Sequence, residues 1–99
     1  MMKVLASRAR LTAIELCLDG SAFTATALQT PMRLTARRVA DHLKMLCKVG
    51  VLQQRQSGED KRETEYVIRP EFVRKAEDGT AIFDFGSGQL HFPHVRLPE

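Results

Sequence analysis

Two periodicities divide the chain. From Ser7 the segment SRARLTAIELCLDG places Leu11, Ile14 and Leu18 at helical spacing, and Asp19-Gly20 supplies a stop. The next stretch, SAFTATALQTPMR, is rich in threonine and runs into Pro31, which predicts a brief helix over residues 24–29 and then a turn. In LTARRVADHLKMLCKVGVL both ends of a helix are marked. Thr35 can accept a hydrogen bond from a first-turn amide, and Gly50 can take the left-handed conformation that closes a helix, so residues 36–48 should be helical. With a helical repeat of about 100° per residue, Val39, Leu43 and Leu46 share one face. Arg37, Asp41, Lys44 and Lys48 form a narrow line on the opposite face. Arg38 and Met45 border that line on one side, and Ala36, Ala40 and Cys47 on the other.

After Gly50 the period becomes that of strands. VLQQRQ and TEYVIR flank the polar loop SGEDKRE and read as a hairpin that Pro70 ends. PEFVRKAEDG fits two helical turns, with Pro70 early and Gly79 as terminator. AIFDFGSGQLHFPH shows two apolar runs about Gly86-Ser87-Gly88, a second hairpin. Its residues Ile82, Phe83, Phe85, Leu90 and Phe92 put apolar groups on both faces, more than a small domain is expected to cover. This hairpin should therefore pack on its own domain or at a homodimer interface. No internal repeat or low-complexity tract is present.

Charge changes this picture more than composition does. At 99 residues and 43% apolar content the chain is an ordinary globular domain with a thin core. Residues 1–48 hold eight Lys or Arg against three Asp or Glu, whereas residues 49–99 hold seven against nine. The basic excess thus lies in the helical half, as binding to a polyanion would need. No apolar run approaches the roughly 20 residues that span a bilayer, and a secretory signal is lacking, so no membrane contact and a cytoplasmic location are expected. Cys17 and Cys47 sit inside apolar helical patterns outside any CxxC pair, the placement of reduced, buried thiols.

A charged stripe is also the ordinary solvated side of an amphipathic helix, and Arg37 with Asp41 can form a stabilising pair four residues apart. Context favours more. A helix, a short helix, a turn, a basic amphipathic helix and a hairpin follow one another in the order of a winged helix-turn-helix. The expected fold is therefore α+β, with residues 1–79 as a winged helix-turn-helix domain and residues 80–99 as an additional C-terminal β-hairpin.

The segment LTARRVADHLKMLCKVGVL resembles the recognition helix of ArsR-like winged-helix transcriptional regulators, whose pattern is L-S-x-x-x-V-S-x-H-L-K-x-L-x-x-x-G-L-V. Leu34, Thr35, Val39, His42, Leu43, Lys44, Leu46 and Gly50 match it identically or conservatively. Ala40 replaces the usual serine, Val51-Leu52 stand for the closing pair, and Tyr66 falls where a wing-strand tyrosine is common. The resemblance spans roughly Ser7 to Ile68. It implies a dimeric, sequence-specific regulator of double-stranded DNA, with residues 35–48 as recognition helix and 51–69 as wing. The paired cysteines of the metal-sensing members have no counterpart, and residues 24–29 contain neither Cys nor His.

Within such a helix the N-terminal half faces base edges, so Thr35, Ala36, Arg37, Arg38 and Asp41 are the base-facing candidates. Lys44 and Lys48 further along, and Arg55, Lys61 and Arg62 in the wing, are the phosphate candidates. The remaining chemistry reads as structural. His42 suits a hydrogen-bonded structural role, and His91 and His94, three apart on a strand, point to opposite faces. Two thiols fall short of the four ligands zinc usually takes. GSG lacks the lysine and helix of a phosphate loop, and Glu59-Asp60 suit a solvated loop tip better than general acid-base work. No enzyme, metal or cofactor is indicated, and the sequence does not identify a small-molecule effector. The alternative function is a winged-helix protein-protein interaction module without DNA binding, to which the acidic Glu59-Asp60 would be better suited.

Overall fold

The computed structural model describes residues 7–56 and 64–98, which form an α+β fold of three helices and two small antiparallel sheets. Helix α1 (Arg8–Cys17) is capped by the Ser7 hydroxyl, which accepts from the Arg10 amide at 3.5 Å. It buries Ala13, Ile14 and Cys17, with Leu18 just beyond. Helix α3 (Ala36–Lys48) occupies the expected range. Thr35 caps it by accepting from the Arg38 amide at 3.3 Å. At its far end Gly50 takes φ +86°, and the Val51 amide then reaches back to the Leu46 carbonyl at 3.0 Å. That six-residue closure needs the left-handed residue glycine supplies without a Cβ clash.

The helix expected over residues 24–29 lies elsewhere. Phe23–Thr24 form a short strand, β1, residues 25–28 are a turn, and helix α2 is Gln29–Met32. The Thr24 hydroxyl does act as a cap, accepting from the Ala27 amide at 3.1 Å, but what it caps is this turn. Pro31 is accommodated because the first amides of a helix have no partner within it, so its missing N–H leaves no gap. Arg33 then ends α2 at φ 56°, and the Leu34 amide donates to the Gln29 carbonyl at 3.2 Å. A side chain in this left-handed conformation costs roughly 1–2 kcal/mol.

The first sheet has the order β1-β3-β2, with β2 at Leu52–Gln56 and β3 at Thr64–Ile68. Its register sets Leu52 against Ile68 and Gln54 against Tyr66, while Phe23 on β1 pairs with Tyr66 from the other side. The two helical turns expected from Pro70 are likewise revised. A single 3₁₀ turn, Pro70–Phe72, leads into strand β4 (Val73–Lys75), which pairs with β5 (Thr80–Asp84). Gly79 serves the turn between them, with φ +86° and its amide bonded to the Ala76 carbonyl at 2.9 Å. The expected hairpin of β5 and β6 (Gln89–Arg96) turns through Phe85–Gly88, where the Phe85 amide donates to the Gly88 carbonyl at 3.1 Å.

Register also settles which hairpin side chains share a face. Val73, Phe83 and Leu90 align across the three strands, as do Ala81 and Phe92, whereas Ile82 aligns with Arg74 and His91 on the other side. The apolar content is therefore concentrated on one face rather than spread over both. Ala81 and Phe83 have no exposed surface and join Ile14, Leu43 and Leu46 in one hydrophobic core. Phe72 and Phe85 flank Phe83 at ring-centroid distances of 5.9 and 5.8 Å. Among the described residues no helix is long and apolar enough to cross a membrane.

Candidate nucleic-acid interface

Helix α3 separates its two faces as the sequence spacing requires. Val39, Leu43 and Leu46 have no exposed surface, while Arg37, Arg38, Asp41, Lys44 and Lys48 are all exposed. Thr35 is exposed at the start of the helix and Ala36 is half-buried beside it. Thr35 accepts the capping bond with one lone pair, so its hydroxyl proton and second lone pair remain to offer a ligand. Arg37 and Asp41 form no ion pair, so the intrahelical pairing that their spacing allows is not made. The ion pairs of the described residues are Arg55–Glu65 at 3.7 Å, Arg69–Glu71 at 3.7 Å and Arg74–Asp84 at 2.6 Å. All three lie in the wing and the strands after it. Among the described residues, Arg8, Arg33, Arg37, Arg38, Lys44 and Lys48 enter none.

One contact fixes α3 against α1. The Arg10 Nε–H donates to His42 Nδ1 at 3.0 Å, which requires the His42 proton on Nε2. Partial burial, and then the charges of Arg10 and Arg38, push the His42 pKa below its ordinary value, with Asp41 opposing. His42 is thus the structural histidine the sequence suggested, neutral at physiological pH. It lines a shallow hollow of about 300 Å³ with Arg38 and Asp41.

Two residues outside the sequence-derived site sit close to it. Arg33 is exposed and lines two clefts. One, of about 580 Å³, runs along Gln29, Thr30, Leu34 and Thr35 to the start of α3. The other, of about 430 Å³, lies between α1 and α2 and is lined by Arg8, Ala9, Thr12, Pro31 and Met32 as well. Sequence spacing could not bring Arg8 beside Arg33. The only local signal was a charged residue in a turn before a capped helix.

In the wing, β2 exposes Gln53, Gln54, Arg55 and Gln56. Arg55 is 59% exposed and its ion pair with Glu65 leaves the guanidinium open to a further partner. Lys61 and Arg62, with Glu59 and Asp60, lie outside the described residues.

Among the described residues one cluster has the residue types of a catalytic group. Thr80, Asp78 and His91 combine a hydroxyl, a carboxylate and an imidazole, but in an unproductive order. The Thr80 hydroxyl donates to Asp78 Oδ1 at 2.5 Å, so His91 Nε2, 2.6 Å away, must itself donate to Thr80. Hydrogen bonds from Thr80 hold the Asp78 pKa below the usual carboxylate value, which makes it a poor base for activating the hydroxyl. Cys17 and Cys47 are free thiols, Cys17 buried and Cys47 half-buried. Burial raises both, Cys17 to about 12. Among the described residues no group of three or more His, Cys, Asp or Glu is placed to hold a metal ion.

Comparison with solved structures matches this fold to winged helix-turn-helix regulators. HlyU from Vibrio cholerae, in its reduced form, superposes with a TM-score of 0.58 at 21% identity, covering 68% of this chain and 66% of HlyU. YusO from Bacillus subtilis, which is MarR-like, gives 0.64 at 14% identity over 72% of this chain and 50% of its own. Rv0081 from M. tuberculosis, of the ArsR family, gives 0.61 at 25% identity over 71% and 68%. The chain thus spans between half and about two-thirds of these proteins. The ArsR-like resemblance read from residues 34–52 therefore has a counterpart in three dimensions, among regulators rather than enzymes. No family model and no curated protein sequence matches the chain.

Proposed function

We propose that this protein is a sequence-specific regulator that binds double-stranded DNA, with α3 in the major groove and the β2–β3 hairpin as a wing on the backbone. The observation that carries this reading is the row of exposed cations on α3, unpaired among the described residues, directly opposite the fully buried Val39, Leu43 and Leu46. Thr35, Ala36, Arg37, Arg38 and Asp41, at the N-terminal half of that helix, meet base edges. Arg37 can bond a guanine through both guanidinium edge donors, and Asp41 can accept from a cytosine amine. Lys44, Lys48, Arg55, Lys61 and Arg62 meet phosphates.

The functional unit is a homodimer. Winged-helix regulators of this kind typically bind DNA as dimers. In this chain Phe85, Leu90 and Phe92 remain only half-buried and are available to a second copy. Two measurements test the proposal. Selection from a random duplex library at low salt should return a pseudo-palindromic motif, and light scattering at micromolar concentration should give twice the chain mass. A monomer mass overturns the dimer. Failure to bind any duplex at low salt overturns DNA binding and favours the protein-interaction module.

A further inference from the structure

The backbone is left-handed at five described positions, and four of them are glycine: Gly20, Gly50, Gly79 and Gly86. The fifth is Arg33, at φ 56°. Glycine or asparagine would end α2 there at lower conformational cost. A side chain kept in a disfavoured backbone region is a mark of sites where that side chain has a use. Arg33 makes no ion pair among the described residues and projects no apolar surface into the core. It does line both clefts, and the one between α1 and α2 brings to the same hollow a second exposed arginine, Arg8, which enters no ion pair among the described residues. Ala9, Pro31 and Met32 add apolar atoms to the lining of that hollow. The Thr12 hydroxyl on its wall already donates to the Arg8 carbonyl at 2.9 Å. Among the described residues, this concave surface is lined by two arginines and by no carboxylate.

Such an arrangement calls for an anion with several acceptor oxygens, and a phosphate group matches the planar donor fork of arginine. Position identifies its source. The surface is continuous through Arg33 and Leu34 to Thr35, where α3 begins. With α3 in the major groove, the strand bounding that groove passes the α2–α3 turn. We infer that Arg8 and Arg33 form a clamp for the DNA backbone beside the groove that α3 occupies, an inference that rests on the DNA-binding reading above. The clamp holds the register in which α3 meets the bases and reads no sequence itself.

The experiment measures affinity of the full chain for its selected duplex across salt, for the unaltered protein and for Arg8→Gln, Arg33→Asn and the double variant. Asparagine tolerates the left-handed conformation, so Arg33→Asn should melt no lower than the unaltered protein. Each single variant should lower the slope of log affinity against log salt by about 0.9, and the double variant by about 1.8. At 0.1 M salt each change weakens binding about eightfold, and equally on selected and scrambled duplexes. Lys75→Gln, on the far sheet, should leave the slope unchanged. An unchanged slope in the double variant, with DNA binding intact, overturns the clamp and leaves the α3 reading standing. Absence of DNA binding by the unaltered protein overturns both. If inorganic phosphate, at matched ionic strength, raises the melting temperature of the unaltered protein but not of the double variant while DNA slopes stay equal, the hollow is a free-anion site and the clamp is overturned.

Discussion

Arg37 and Lys48 lie on the same exposed stripe of α3, yet the proposed docking of that helix gives them different tasks. They are eleven residues apart, which at 1.5 Å per residue places them about 16 Å apart along the axis. The major groove is only about 12 Å wide, so a helix entering it by its N-terminal end carries its last residue onto the backbone. Arg37→Ala should therefore cost about 1–3 kcal/mol on the selected duplex, roughly 5- to 150-fold in Kd, and relax the preference at one base pair. On scrambled DNA its effect should be much smaller. Lys48→Ala should weaken both duplexes alike, lowering the salt slope by about 0.9. Because both side chains are exposed and form no ion pair among the described residues, neither change should shift folding stability by more than about 0.5–1 kcal/mol, so binding losses are not folding losses. Fluorescence anisotropy on the two labelled duplexes between 50 and about 200 mM salt separates the cases. If Arg37→Ala lowers affinity for selected and scrambled DNA by the same factor, the base-facing assignment of the helix start is refuted.

Three further outcomes follow from the packing and titration of the same elements. Phe83→Ala, which empties a site with no exposed surface, should destabilise the fold by about 3–5 kcal/mol in a single calorimetric transition; two transitions would show that the second sheet melts apart from the helices. The His42 pKa is lowered in the folded state, so its neutral form contributes stability that is complete above the unfolded value of about 6.5 and is lost as pH falls through the folded value. Thermal melts should accordingly fall on acidification below about pH 6.5, and His42→Gln should flatten that limb; parallel curves for the two proteins would contradict the Arg10–His42 linkage. With burial holding the Cys17 thiol up at about 12, an alkylating agent at mildly alkaline pH should label Cys47 first in the native protein and both cysteines in urea, read by peptide mass spectrometry.

What was legible in the sequence was what local chemistry decides. Helix α3 carries its own start, stop and face in Thr35, Gly50 and the Val39, Leu43 and Leu46 spacing, and the fold reproduces all three. Strands β2 and β3 announce themselves by composition. The misreadings fall where a partner distant in sequence decides. Phe23 is a strand because Tyr66, forty-three positions later, offers it a ladder. Val73–Lys75 extend because Ala81–Phe83 pair with them, which overrides a stretch whose charged residues suit a helix equally well. The hairpin's apolar side chains could not be assigned to one face until the register across β4, β5 and β6 was known. Arg8 and Arg33 escaped for the same reason, since only the packing of α1 on α2 makes them neighbours.

The distribution of ion pairs links these readings. A chain that needed charge only for solubility would gain by pairing it along each element, and the C-terminal half does so: Arg55 with Glu65 across strands, Arg69 with Glu71 beside it, and Arg74 with Asp84 across the second sheet. Among the described residues, helix α3 has the opportunity and leaves it unused. Arg37 and Asp41 are one turn apart without pairing, and Lys44 and Lys48 stand at the like-charge spacing that costs an isolated helix about 0.2–0.5 kcal/mol. One cleft at Arg33 reaches the start of α3 at Thr35, and the acidic excess lies in the other half of the chain. A surface built this way repels itself, and under the DNA-binding proposal a polyanion would supply the missing partners. Added salt should thus slightly stabilise the free protein by screening that repulsion, while it weakens the complex steeply. Opposite responses to one variable are a signature that a passive solvated face would not give.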